Sequence, residues 1–143
     1  MKILYDTNII LDVLLDRQPF SADSIYLVQK VEMGLFIGYL SATTMTTLQY
    51  LACKVIGKTK ANLEIKKLLT LFEIAPVNRS VIENALLTQF QDFEDAVLYE
   101  AALHQGVHAI VTRNLKDFSN AKIPVYTPDQ LLKLIPDLIG AGS

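Results

Sequence analysis

The sequence predicts an α/β fold in which a mostly parallel central sheet is covered by helices on both faces. Three observations carry that expectation. Short apolar runs of strand length alternate with longer segments of helical length. Most of the helical segments open on a capping residue or close at a glycine. Hydrophobic residues fill 51% of the 143 positions and charged residues 20%, which suits one packed domain over 1–143 rather than a disordered chain.

The elements follow in order. Lys2 to Tyr5 is a short apolar strand that runs into Asp6. Thr7 to Leu15 is an apolar helical turn or two, broken by Pro19. Ser21 caps a helix that reaches Glu32 and ends at Gly34. Leu35 to Leu40 is the second strand. Ala42 to Ile56 is a helix ended by Gly57, and Thr59 to Leu71 is another. Phe72 to Ala75 is the third strand, stopped by Pro76. Asn78 caps a helix to Leu87, and Asp92 caps the next, which runs to about His104 before Gly106. His108 to Thr112 is the fourth strand, and a loop from Arg113 to Ala121 follows. Pro124 to Tyr126 is the last strand. Thr127-Pro128-Asp129-Gln130 opens a final helix that Pro136 should end or kink, leaving 140–143 as a disordered tail.

Several classes of protein are excluded. No run of eighteen apolar residues exists, so no membrane span is expected, and no signal-peptide core follows Met1, which points to the cytoplasm. Cys53 stands alone in an apolar run and is expected to be a small core residue. A net charge of −2 argues against a sequence-blind grip on duplex DNA. Gly57-Lys58-Thr59 ends like a phosphate-binding loop, but Ala52 stands where its first glycine belongs. A phospho-acceptor receiver domain would need paired acids after the first strand, and Thr7 and Asn8 follow Asp6 instead.

In parallel sheets, ligands sit beyond the carboxyl ends of the strands. Polar residues gather there. Asp6 ends the first strand, and Thr112, Asn114 and Asp117 follow the fourth. Taken singly, these acids are also good helix caps or turn formers. Asp92, Glu94 and Asp95 open a nearly apolar helix, where acids offset the helix dipole. Asp95 shares a face with Leu98, Tyr99 and Ala102, so it should point inward and needs a cation or several donors. Glu94 lies beside Val97, Leu98 and Ala101, so its face alone does not exclude it. Crowded carboxylates repel, and a hard divalent cation, Mg²⁺ or Mn²⁺, resolves that. Such an ion generates a nucleophilic hydroxide and neutralises charge on a phosphate.

Three motifs in order, Asp6-Thr7-Asn8-Ile9-Ile10-Leu11-Asp12, Asp92-Phe93-Glu94-Asp95-Ala96 and Val111 to Phe118, resemble the PIN-domain family and its VapC-type toxin ribonucleases. The resemblance spans Ile3 to about Leu132. It implies a three-layer α/β/α sandwich, Mg²⁺ or Mn²⁺, and RNA as substrate. It also implies an antitoxin protein as partner and a homodimer. By position it makes Asp6 and Asp95 metal ligands, puts Asn114 where many members have Asp and Asp117 as another acid common in this loop, and makes Thr112 a site hydroxyl. Asp6, Asp95, Asp117 and Thr112 are the catalytic candidates, and Asp92, one turn before Asp95, is a further candidate ligand by its place on the helix. The chain departs from the pattern at Ser41 to Gln49, where many members carry a Glu. Thr47 aligns with it, Gln49 less well, and Glu94 or Asp92 stands as a compensating acid. Thr47 and Asn114 favour an alternative: a catalytically weakened PIN-like module that binds RNA or a protein.

Lys54, Lys58, Lys60, Lys66 and Lys67 cluster on two helices, where they either meet RNA phosphates or form a solvated face. Lys58, Lys60 and Arg113 are the RNA-binding candidates. The final segment, with Leu131, Leu132, Leu134, Ile135, Leu138 and Ile139, is more apolar than one small domain needs. It, or the helix from Ser21, is expected to pack against another subunit.

Overall fold

The structure, a computed structural model, describes residues 1–141. Five strands, β1 (Lys2–Tyr5), β2 (Ile37–Ser41), β3 (Glu73–Ala75), β4 (Ala109–Val111) and β5 (Val125–Tyr126), form one sheet in the order β3-β2-β1-β4-β5. Every pairing is parallel. The helices are α1 (Thr7–Leu14), α2 (Ser21–Glu32), α3 (Ala42–Ile56), α4 (Lys58–Leu71), α5 (Arg79–Leu87), α6 (Phe93–His104) and α7 (Pro128–Ala141). The loop after β4 holds a 3₁₀ turn over Leu115–Phe118, which the sequence leaves undivided.

The strand residues alternate between two cores, as the pleat requires. Ile3, Tyr5, Leu40, Ala109 and Val111 face a layer in which Leu27 of α2, Leu48 of α3, Leu68 of α4 and Leu131 of α7 are buried. Leu4, Tyr39 and Ile110 face the other way, onto Val81 and Ala85 of α5 and onto α6. This is the expected sandwich. Helix α6 has almost no polar face, because Ala96 through Ala102 are all buried, Glu100 among them. Gly38 in β2 is demanded by packing: a Cβ there would stand 2.6 Å from the Phe72 ring.

Local chemistry corrects several expected boundaries. Ser21 is the first residue of α2 and not its cap; its hydroxyl donates to Asp16 Oδ1 at 2.8 Å. That side-chain bond competes with capping. Strand β2 begins at Ile37 rather than Leu35, since Leu35 and Phe36 still donate their N–H groups to the Lys30 carbonyl. Helix α7 does not end at Pro136, because Leu131 and Ile135 anchor the turn before it in the core. Gly140 and Ala141, expected in the tail, are its last residues; 142–143 lie outside the described residues. Burial of Leu131 and Ile135 also accounts for part of this segment's apolarity within the subunit itself, while Leu138 and Ile139 lie outside the residues whose side chains are described. Cys53 is half-buried rather than a core residue, and its sulfur accepts from Gln49 Nε2 at 3.0 Å.

Candidate active site

Strand order reverses between β1 and β4, so the connections leaving their carboxyl ends diverge and open a crevice. Asp6 and Thr112 stand on its two sides. The Asp6 N–H donates to the Val111 carbonyl at 3.0 Å, extending the sheet ladder one step past both strands. Asp6 is 6% exposed. Its Oδ1 accepts from the Thr7 N–H at 2.7 Å, so it does act as the α1 cap, and its Oδ2 accepts from the buried Thr112 hydroxyl at 2.8 Å. The Thr112 oxygen in turn accepts from the Asn114 N–H at 3.0 Å. Thr112 therefore fixes both the Asp6 carboxylate and the start of the loop that carries Asn114 and Asp117.

A cavity of about 170 Å³ lies at this crevice, lined by Asp6, Glu94, Asp95, Asn114, Asp117 and Thr47, with Asn8 and several apolar residues. Three remote segments thus bring four carboxylates to one wall. Helix α6 supplies two of them because Asp92 caps it, accepting from the N–H groups of Glu94 at 2.8 Å and Asp95 at 3.3 Å. That duty places Asp92 outside the cavity, on an adjoining groove of about 670 Å³ that Asp95 and Asp117 also line.

The comparisons with known proteins agree on the fold and the family. The model of the PIN domain family matches residues 2–116. The chain belongs to the PIN domain family. It is 28% identical over 134 residues to ribonuclease VapC1 of Aquifex aeolicus, covering 90% of this chain and 92% of that protein. Among solved structures, a toxin–antitoxin complex from Klebsiella pneumoniae superposes with a TM-score of 0.66 at 24% identity, over 88% of this chain and 97% of that one. VapC20 of Mycobacterium tuberculosis, a sarcin–ricin-loop-cleaving toxin, gives a TM-score of 0.67 at 16% identity, over 85% and 95%.

The electrostatics of this PIN-domain cavity are one-sided. Among the described residues, no basic side chain lines it. Burial pushes the Asp95 carboxyl up to about 7, with the negative charges of Asp6, Asp92, Asp117 and Glu94 adding to the shift. Burial also raises Asp6; the bonds from Thr112 and Thr7 oppose this, and Asp117 and Glu94 reinforce it. Carboxylates, an amide carbonyl and hydroxyls are hard oxygen donors, with no thiolate or imidazole among them, so the donor set fits Mg²⁺ or Mn²⁺. Among the described residues, no three acidic, histidine or cysteine side chains are drawn close enough to hold an ion as they stand. The acids share a wall without closing on one point, as their mutual repulsion requires.

The remaining candidates are more scattered. Thr47 lines the cavity, and its hydroxyl donates to Glu94 Oε1 at 3.5 Å, so the acid nearest the missing Glu comes from α6. Gln49 points elsewhere, to Cys53 and Asn62. Lys58 and Lys60 are exposed on α4 and line neither the cavity nor its groove. Arg113 is turned inward: its Nε lies 2.7 Å from Asp12 Oδ2, and its guanidinium stacks 4.0 Å over the Phe20 ring. Asp12, fully buried on α1, is the residue that sequence reasoning left without a role. The one signal for it was an acid interrupting the apolar run from Ile9 to Leu15.

No described helix is long and apolar enough to cross a membrane.

Proposed function

We propose that this PIN domain is a metal-dependent endoribonuclease that hydrolyses RNA phosphodiester bonds, the toxin of a toxin–antitoxin pair. The observation that carries this is the single cavity walled by Asp6, Glu94, Asp95 and Asp117 at the switch point of a parallel sheet. The family and the name of the relative, ribonuclease VapC1, support the same chemistry. Asp6, Asp95 and Asp117 would hold Mg²⁺ or Mn²⁺, with the Asn114 carbonyl beside them. When bound, the ion supplies a hydroxide nucleophile and neutralises charge on the phosphate. The chain's own residues prepare that site. Thr112 and the Thr7 N–H fix the Asp6 carboxylate in one orientation. Thr47 steadies Glu94. Asp92 fixes the first turn of α6 and so the position of Asp95.

A second function, a PIN-like module that binds RNA or a protein without cutting, is favoured by Thr47 in the cavity wall and by the acids' failure to converge unaided. Cleavage of a labelled RNA in Mn²⁺, with Asp6→Asn and Asp95→Asn as controls, separates the two. Mn²⁺-dependent cutting lost in both variants supports the enzyme. RNA binding without cutting supports the module, and cutting that survives both changes marks a contaminant.

The solved toxin–antitoxin complexes with this fold support an antitoxin partner. For a homodimer, α2 offers one surface, since it exposes Ile25 and Tyr26 with Met33 just beyond. A monomer in light scattering at micromolar concentration rejects the dimer.

A further inference from the structure

We propose that single-stranded RNA reaches the acid cavity along the groove between the 88–92 connection and the 116–122 segment, not across the lysines of α4. This rests on the endoribonuclease function above and names the path its substrate takes. Continuity comes first. The groove shares Asp95 and Asp117 with the acid cavity, so the acids form the boundary of both spaces. At its other end it shares Gln89, Phe90 and Asn120 with a further cavity of about 480 Å³. The acid cavity and the groove make one trough with the carboxylates at its head, and the third space adjoins it at Gln89, Phe90 and Asn120.

The trough's chemistry suits unpaired nucleotides. Gln89, Gln91 and Asn120 are neutral amides, each offering both a donor and an acceptor, as base edges do. They add no charge to a wall that already repels phosphate. Lys116 is the groove's cation, and Lys122 lines the cavity beyond it. Phe90 lines both spaces with its ring already packed against Tyr99 and Phe118, so it shapes the wall rather than offering a free face. A duplex hides the edges these amides would meet, which selects a single strand.

The trough is also held in shape. Asn120 Nδ2 donates to the Gln89 carbonyl, tying one wall to the other. Phe90 stacks on Tyr99 with centroids 4.9 Å apart and meets Phe118 edge-on at 5.8 Å. The Lys122 N–H donates to the Tyr99 hydroxyl at 2.9 Å. By contrast, Lys58 and Lys60 of α4 line none of these three spaces.

The test uses a random-sequence single-stranded RNA carrying 4-thiouridine and a fluorophore, with Asp6→Asn protein to prevent cutting. Photocrosslinks are expected in peptides spanning 89–92 and 116–122. Lys116→Ala, an exposed change, should flatten the salt dependence of RNA affinity by about 0.7 in the log–log slope. In the cleaving protein, Gln91→Ala and Lys116→Ala should raise KM roughly five- to tenfold with kcat little changed. Crosslinks confined to 54–67, or affinity lost in Lys58→Glu with Lys60→Glu but kept in Lys116→Ala, overturn the path and leave the ribonuclease standing. A wild-type protein that neither cuts nor binds RNA overturns the function itself, and the path with it.

Discussion

Asp6 and Asp12 make an instructive pair. They stand six residues apart, at the start and in the body of α1, and both are buried. Burial raises the carboxyl of each, but what opposes it differs in kind. For Asp12 the opposing groups are cations, Arg113 at 2.7 Å and Arg17 at 3.9 Å. For Asp6 they are neutral donors, Thr112 and the Thr7 N–H, while Asp117 and Glu94 push the other way. One acid has its counter-charge built into the chain. The other sits among acids in a cavity that no basic side chain lines among the described residues. Carboxylates gathered at one site without a cation are costly to ionise, and such cost persists where function uses it. Asp12 therefore acts as a brace, while Asp6 is left for the metal proposed above. Arg113 joins the two roles, since the loop it fastens to α1 also carries Asn114 and Asp117.

The largest expected effect breaks the pair by activity. Asp6→Asn and Asp95→Asn should each lower Mn²⁺-dependent RNA cleavage about a thousandfold, the several kcal/mol that an ion supplies to a phosphate transition state. Neither should weaken the metal-free fold at pH 8, because each removes a carboxylate whose ionisation the native state disfavours. Steady-state kinetics and urea unfolding on the same preparations check both halves. Unfolding of Asp6→Asn at markedly lower urea would make Asp6 a brace as well.

Next in size is Arg113→Ala. It leaves Asp12 buried with only the distant Arg17 and should cost about 3 kcal/mol of stability, the usual penalty for an orphaned buried charge. Asp12→Asn with Arg113→Ala together should cost less than the sum of the two, and a double-mutant cycle in urea measures the coupling. Additive losses would show that Arg113 works through its stacking on Phe20 and not through Asp12.

Why Asp6 was legible and Asp12 was not is itself physical. Asp6, Asp95 and Asp117 each break an apolar pattern at a strand end or helix start, where local rules place a side chain. Their convergence needed the strands to be parallel and β1 to adjoin β4. Asp12 depends on Arg113, 101 residues away, and no local rule joins a helix body to the loop after β4. The order β3-β2-β1-β4-β5 is nonlocal in the same sense, so the alternation of elements predicts a parallel sheet without saying that β1 and β4 adjoin. Lys58 and Lys60 left two readings open, an RNA approach or a solvated face. Closeness in sequence groups them, yet neither lines the acid cavity or its groove.

The pH dependence sharpens the contrast further. Asp95 titrates near 7 in the native state and at about 4 in an unfolded chain. Between those values the native state holds a proton that the unfolded chain has lost, so stability from this group is full below about pH 4 and declines as pH rises towards 7. Raised Asp6 adds in the same direction. Urea midpoints of the metal-free protein should therefore fall across that window, less steeply in Asp95→Asn. Mn²⁺ needs the ionised carboxylates, so its affinity should climb with pH up to about 7 and then level. Calorimetric titration at several pH values checks this; affinity flat from pH 5 to 8 would remove Asp95 from the ligands.

The smallest expected effect tests whether proximity alone makes a brace. Arg17 also faces Asp12, but at 3.9 Å, from a side chain that is 39% exposed. An ion pair that loose gains little in high dielectric and spends side-chain entropy to form. Arg17→Ala should therefore cost no more than about 0.5 kcal/mol in urea unfolding, with cleavage unaltered. A loss approaching that of Arg113→Ala would mean that Asp12 shares its charge between two partners. The loop bearing Asn114 and Asp117 would then owe its place less to one contact than to the whole electrostatic surround of α1.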